Sequence, residues 1–435
     1  MVDKILEEGR KTGFSTTEVF RKKTEKTVFI RQGNIQSEQT INTDRLVIRA
    51  FRETGAPLGF TVSTADIYKL REYFHTMYSA YVPDNKKNFA SHLPDKVGEI
   101  DINIYDNKFN EINDLYFNEL KEKLFETQIA SFKGLKIKDI SFSKMLKKVY
   151  FTNTMMYEQH KLKVKYRKTA FNLKILFSLK NNLIEIVDSK PFFSQFNPDK
   201  IVSRAYNLLS SLTENNKFSG LVKHLLLSPE ASSTILREFS TYFKSNSEKR
   251  LKSINFPQAL SIIDNPLFDN QSNSVPFDDE GIQSTETYLI EKGFIRNRIS
   301  NIQNSFENQS ITTGNGFRSQ KSIFPEIKFT NLYIKPSTFP FSKLLSDGER
   351  GILISLVKLM QVEGDKYVFS AYGYEFVDGN INKPIHLFLK TTIESFFLSI
   401  LKVSKEIRFF YNILNVGAPY LLIESGTKID NTFEL

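Results

Sequence analysis

The stretch PFDDEGIQSTETYLIEKGFI at Pro276–Ile295 decides how this chain is read, together with TTGNGFR at Thr312–Arg318 and FTNLYIKP at Phe329–Pro336. Asp278, Asp279 and Glu280 concentrate hard oxygen ligands, but a calcium loop alternates its ligands and closes on a further Glu, which this triplet lacks. With Gly281 behind it, the triplet reads as a structural turn in which glycine lets the chain reverse. Ser284–Gly293 then reads as a strand–turn unit, with Leu289–Lys292 its second strand and Gly293 its stop. Gly314-Asn315-Gly316 is a tight loop that leaves Arg318 placed to contact backbone carbonyls or a carboxylate. Thr330-Asn331-Leu332 begins a further strand.

Outward from this block, the remainder of the chain from Phe256 is mainly strand and turn until Thr391–Val403, which reads as a helix, and Pro419–Glu424 reads as a buried strand. Upstream, Pro229–Lys244 reads as a helix behind an apolar strand at Leu221–Ser228, and Asp199–Leu212 as a helix with Asp199 as its cap. Ile137–Ile175 is strand-like, Asn182–Val187 adds another strand, and Asn110–Lys133 has helical spacing. The polar stretch Val82–Glu99, with Pro83, Asn85, Lys86 and Pro94, reads as a linker. Before it come a short helix at Val2–Gly13, two strands around a charged turn within Thr17–Arg31, and a turn at Gln32–Asn34. Strands at Ile35–Thr43, Arg45–Phe51 and Leu58–Val62 follow, then a helix at Ser63–Tyr81 capped by Ser63 or Thr64. The order predicts an α+β chain with an N-terminal α/β domain at 1–82, a middle α+β segment at 100–217 and a β-rich C-terminal domain at 219–435.

Composition agrees with several domains, because 435 residues exceed one ordinary core. At 40% hydrophobic and 25% charged residues, the chain falls in the soluble globular class. Met1 opens on a charged amphipathic segment rather than a signal peptide. The greasiest run, His386–Val403, is interrupted by Lys390, Glu394 and Lys402, so no membrane span is expected. Cysteine is absent, which excludes disulfides and thiolate chemistry and suits a cytoplasmic protein. The net charge of +10 invites a nucleic-acid reading, yet the lysines are scattered among acids. Their densest cluster, KLKVKYRK at Lys161–Lys168, alternates like a strand with one solvated basic face, and nucleic acid is not an expected partner.

These motifs, in this order, resemble the TldD/PmbA family, whose members pair as TldD with TldE (also called PmbA) into a metallopeptidase. The match is most specific at Phe277–Gly293. At the N-terminal end it runs through Thr17-Glu18-Val19, Gly33-Asn34-Ile35-Gln36, Val47-Ile48-Arg49-Ala50 and Glu53-Thr54-Gly55 with Gly59. Near the C-terminus it includes Val368–Tyr374, Phe376–Ile381, Pro384-Ile385 and Gly417-Ala418-Pro419. A family turn in the middle segment keeps Asn153 in Thr152-Asn153-Thr154-Met155 but loses its glycine. The resemblance implies a C-terminal β-rich domain that forms the dimer interface and lines a cleft for an unfolded peptide. Such a peptide is held as an added strand, largely by main-chain hydrogen bonds. Asn315, Arg318 and Asn331 are the candidates for lining that cleft, and Asp278, Glu280 and Gly281 form the family-motif turn.

The family's catalytic subunit carries His-Glu-x-x-x-His on one helix, so that both imidazoles face a zinc ion and the Glu polarises water. Laid on that pattern, Glu238 matches the Glu, while Arg237 and Tyr242 replace the two His ligands. Arginine stays protonated and repels a cation. The family's further cysteine ligand has no counterpart in a chain without cysteine. The histidines His75, His92, His160, His224 and His386 include no pair at helical ligand spacing. There is likewise no phosphate-binding glycine loop and no G-x-S-x-G elbow. The resemblance therefore implies a TldE/PmbA-like non-catalytic subunit: Glu238 inert, no metal or cofactor in this chain, and zinc in a TldD-like partner. Its substrates would be unfolded or leader-bearing peptides. The alternative is a peptide-binding or regulatory homodimer without proteolysis, which fits the family's older name, modulator of DNA gyrase.

Overall fold

A computed structural model describes the chain except residues 33–34, 84–91, 95, 155–160, 213–217, 219–221, 413 and 430. His160, Met155, Leu221 and the tip of the Gln32–Asn34 turn thus lie outside the described residues.

The architecture is α+β. Its first half is organised by one antiparallel sheet of β1 (Thr16–Gln32), β2 (Ile35–Phe51), β3 (Leu58–Val62), β4 (Leu135–Thr154), β5 (Lys161–Leu179) and β6 (Asn182–Lys190). Their order is β3-β2-β1-β4-β5-β6, so strands from residues 1–82 and from 100–217 share the sheet. The charged turn expected within Thr17–Arg31 is not a turn. β1 runs unbroken and pairs with β2 from Thr16↔Phe51 to Gln32↔Ile35. The run RKKTEK contains no Gly, Pro, Asn or Asp to reverse the chain, and a pleated strand distributes such charges over its two faces. The two strands expected at Ile35–Thr43 and Arg45–Phe51 merge into β2, because Asn42, Thr43 and Asp44 stay in register opposite Glu25, Thr24 and Lys23 of β1 instead of reversing the chain.

Helices cover both ends of the sheet's outer face. At one end α1 (Val2–Thr12) and α2 (Leu70–Ser79) bury Ile5, Leu6 and Phe74 against Val19, Leu46 and Ile48. At the other, α3 (Asp114–Ser131) and α4 (Pro198–Ser211) bury Phe117, Leu120 and Val202 against Phe29, Phe142 and Leu173. The α4 cap is Asn197, whose side chain accepts from the Lys200 N–H, rather than Asp199. Pro198 occupies the first turn, which moves the cap one residue before it. On the inner face, Phe20, Val47, Val149 and Phe151 pack against Phe277.

The second half is built on two large sheets, with a two-stranded one of Gly316–Phe317 and Glu326–Ile327 beside them. One is mixed and eight-stranded, built on β7 (His224–Leu227) and the long strands Arg350–Glu363, Lys366–Val377 and Asn380–Thr391. The other has six strands, with Ile262–Asp264 and Asn331–Ile334 at its centre. Helix α5 (Pro229–Phe239) lies in the core they share, where Ile235 and Phe239 are buried with Leu225, Phe369, Leu332 and Val416. Thr391–Val403 is not one helix: Ile393–Leu398 is helical, and Ile400–Val403 is a strand paired with Leu421–Glu424. The branched Ile400 and Val403 favour the strand, and pairing extends the sheet by one position. Among the described residues, no helix is long and apolar enough to cross a membrane.

Candidate functional site

Helix α5 begins at Ser228, whose Oγ accepts from the Ala231 N–H at 3.2 Å, with Pro229 in its first turn. Burying Ile235, Leu236 and Phe239 leaves Arg237 and Glu238 half-buried at the end of the helix. Arg237 donates to Thr234 Oγ1 at 3.3 Å and approaches Glu238 at 3.8 Å. Tyr242 follows on a 3-10 turn, buried under the Lys249 ammonium, which lies 5.3 Å from its ring centre. Burial, then the neighbouring Tyr367, pushes the Tyr242 phenol up to about 12, so it stays protonated at neutral pH. A guanidinium and a protonated phenol are no donor set for zinc. Among the described residues, no three His, Cys, Asp or Glu side chains cluster in a way that holds a metal ion. The residues at this position do not fit the metal.

The conspicuous chemistry lies elsewhere, where the motifs from the two ends of the sequence meet. Glu18 of β1 and Arg49 of β2 are cross-strand neighbours on the inner face. Arg49 donates to both Glu18 oxygens, at 3.0 and 2.7 Å, and to Glu280 at 3.0 Å. Arg318 donates to Glu18 at 2.7 Å, to the Ile323 carbonyl at 2.9 Å and to the Asp279 carbonyl, and stacks over Phe20. The second Glu280 oxygen accepts from the Ile302 N–H at 2.9 Å. All four side chains are buried. Burial opposes the charge on Arg49, but Glu18 and Glu280 more than offset it and its pKa is raised. At Arg318, burial and then Arg49 lower the pKa against the pull of Glu18. The set is two cations and two anions with their hydrogen-bonding positions occupied, the condition under which buried charge is tolerable.

The acidic turn holds this network. Asp278 accepts three backbone N–H bonds, from Glu280 and Ile282 to one oxygen and from Gly316 to the other, each at 2.9 Å. Its pKa is nonetheless raised well above the usual range, by burial and then by Glu280. Gly281 has φ 78, and a Cβ there would lie 2.3 Å from a Phe151 ring carbon, so the reversal needs glycine for conformation and for room. The turn reading of Asp278–Gly281 is thus what the chain builds, although it lies in the interior.

The residues expected to line a peptide cleft are also interior. Asn315 donates to Asp264 at 2.7 Å and to the Lys328 carbonyl at 3.1 Å. Asn331 donates to the Asn265 carbonyl and Ser274 and accepts from Asn415 at 2.8 Å. With Arg318 in the ionic network, all three side chains are buried. Sequence reasoning passed over Asp264, which closes the apolar run LSII and accepts from the Thr330 N–H at 2.9 Å. Burial raises its pKa to about 6 against those hydrogen bonds. A lone carboxylate ending an apolar strand was the available signal.

The profile of the PmbA/TldA metallopeptidase C-terminal domain matches residues 211–428, half of the chain. The chain belongs to the TldD/PmbA family. A relative described as a metalloprotease TldD homolog, from Haemophilus influenzae, is 30% identical over 128 residues, which is 29% of this chain and 27% of the relative. The chain spans about a third of the length of the curated relatives it matches. Among solved structures, a Thermotoga maritima protein described as a modulator of a DNA gyrase superposes with a TM-score of 0.79 at 19% identity, covering 97% of this chain and 98% of that one. TldE from Thermococcus kodakarensis superposes with 0.78 at 16% identity, over 97% and 98%. At such identities the structural likenesses establish the fold.

Proposed function

We propose that this chain is the TldE/PmbA-like, non-catalytic subunit of a heterodimeric zinc metallopeptidase acting on unfolded or leader-bearing peptides. One observation carries the reading: at the end of α5, Arg237 and Tyr242 stand where the catalytic pattern needs two histidines, and neither offers a metal-binding atom. A TldD-like partner then supplies the zinc and its ligands, and this chain completes the assembly. No step of the hydrolysis runs through its own residues. The family membership and the likeness to TldE support the assignment, and the cytoplasm is the compartment it suits.

The test measures zinc content and hydrolysis of unfolded casein by the tag-free chain, alone and mixed with a TldD-like partner. Cleavage in the mixture only, with zinc on the partner, is the expected result. Stoichiometric zinc with cleavage by this chain alone overturns it, and peptide binding by a homodimer with no cleavage in any mixture supports the regulatory alternative. Glu238→Gln should leave the mixture's activity within about a few-fold of the parent, since an exposed or half-buried helical carboxylate contributes little. Abolition means that Glu238 works in catalysis after all.

A further inference from the structure

Between its two helical covers, the middle of the first sheet's outer face carries no helix among the described residues, and that strip is cationic. The residues there are Arg21 and Lys23 on β1, Lys148 and Tyr150 on β4, and Lys165 and Arg167 on β5. The register sets them in two cross-strand rows, Lys23–Lys148–Arg167 and Arg21–Tyr150–Lys165. All line one groove of about 620 Å3, edged by Val2 of α1. Lys23, Lys148, Lys165 and Arg167 are exposed. Among the described residues, Asp44 is the carboxylate paired within the group, with Arg21 at 2.9 and 2.6 Å and with Lys23 at 3.3 Å. Among the described residues, Lys148, Lys165 and Arg167 have no carboxylate within ion-pair distance, and the Arg167 guanidinium rests 3.8 Å from the Tyr105 ring centre. Like charges directly opposite on neighbouring strands are destabilising, so the row Lys23–Lys148–Arg167 carries a repulsion that Asp44 at Lys23 and Tyr105 beneath Arg167 offset only in part.

We infer that this groove binds an acidic segment of an extended polypeptide. Strands about 4.8 Å apart, with same-face residues about 6.7 Å apart along each, make the cationic area about 10 by 7 Å. Alternate side chains of an extended peptide repeat at that second spacing, so two carboxylates at alternate positions meet the two rows. The adjoining depression carries Glu25 and Asp44, which close the cationic strip at one end. A nucleic-acid backbone crossing the sheet meets those carboxylates, whereas a short acidic segment stops before them. The inference deepens the peptide-handling reading, on which it rests, by naming acidic stretches as what the chain prefers.

Fluorescence anisotropy with the full chain alone tests it, using a labelled ten-residue peptide with Asp at alternate positions in a serine background. The comparison probes are the same peptide with Asn for Asp, and a ten-nucleotide oligothymidylate. The Asp peptide should bind and the Asn peptide should not. Lys148→Glu with Arg167→Glu should weaken the Asp peptide about tenfold or more. Lys136→Glu with Lys138→Glu, the same change of net charge on exposed positions at the far end of β4, should leave it unchanged. Equal binding of the Asp and Asn peptides, or equal loss in both double variants, overturns the site. Tighter binding of the oligonucleotide, lost with Lys148 and Arg167, overturns the assigned ligand. Because no partner and no hydrolysis enter this assay, failure of the casein experiment sinks the subunit assignment without deciding this one.

Discussion

Glu18 and Arg21 stand three residues apart on β1 and on opposite faces of the first sheet, and the two faces handle charge differently. Inside, Glu18 and Glu280 are matched by Arg49 and Arg318, with every carboxylate oxygen of the four-residue set engaged. Outside, among the described residues, Asp44 pairs with two of the five groove cations, Arg21 and Lys23, and the other three have no carboxylate within ion-pair distance. Removing a charge from water costs several kcal/mol even after relaxation, so the interior keeps only what it can pair. The surface imposes no such filter. Matched buried charge therefore informs about assembly of the fold, and unmatched exposed charge about what the fold meets.

Four substitutions probe that contrast, beginning with the largest effect. Arg49→Met strands Glu18 and Glu280 without a shared cation and should cost about 3–5 kcal/mol in urea unfolding. A loss below about 1 kcal/mol means that the pocket takes in water and the inner face behaves like the outer one. Asp264 comes next, through pH. Its folded pKa of about 6 lies above the ordinary aspartate value, so the folded state holds the proton more tightly. Stability from that proton is present below about pH 4 and is lost as pH rises through about 6, up to about 3 kcal/mol in all. Relative to Asp264→Asn, the parent melting temperature should fall between pH 4 and 6.5, and parallel pH profiles would contradict the assignment. Gly281→Ala should destabilise by about 1–3 kcal/mol, since its Cβ meets Phe151 at a positive φ. A neutral result shows that the inner face gives way. Smallest is Lys148→Glu, which should change stability by no more than about 0.5 kcal/mol, with any change favourable because it relieves the row of like charges. Marked destabilisation would make that cation structural.

Much of the architecture was legible, and the misses have common causes. Helices bounded by a capping side chain or a stop glycine, such as α1 with Gly13, α3 with Asn113 and α5 with Ser228, fall where expected to within a few residues. β1 was divided because its charges resembled a turn, when a strand alternating between a packed and a solvated face carries charge throughout its length. Ile400–Val403 was taken into a helix because its apolar spacing does not say which neighbour it pairs with. At the site, Glu18 and Arg49 were visible as motif residues and Arg318 as a side chain in search of a carboxylate. Their meeting was not, because ion pairing across 231 and 300 residues has no periodicity. Asn315 and Asn331 read as accessible loop residues, yet each bonds to segments distant in sequence. The basic face of β5 was plain in its alternation. Only the register adds Arg21, Lys23 and Lys148 to it.

The span of the buried network also has a consequence in time. Glu18 and Arg49 belong to adjacent strands of a hairpin and can meet as soon as β2 is made. Arg318 emerges 269 residues after Arg49, which at about 5–20 residues per second is a wait of roughly 13 to 54 seconds on the ribosome. For most of that interval Phe20 and Val47, joined later by Phe151, await Phe277, which packs against them in the folded chain. The inner face of the first sheet is thus completed in two stages, its apolar cover with Phe277 and its last cation with Arg318.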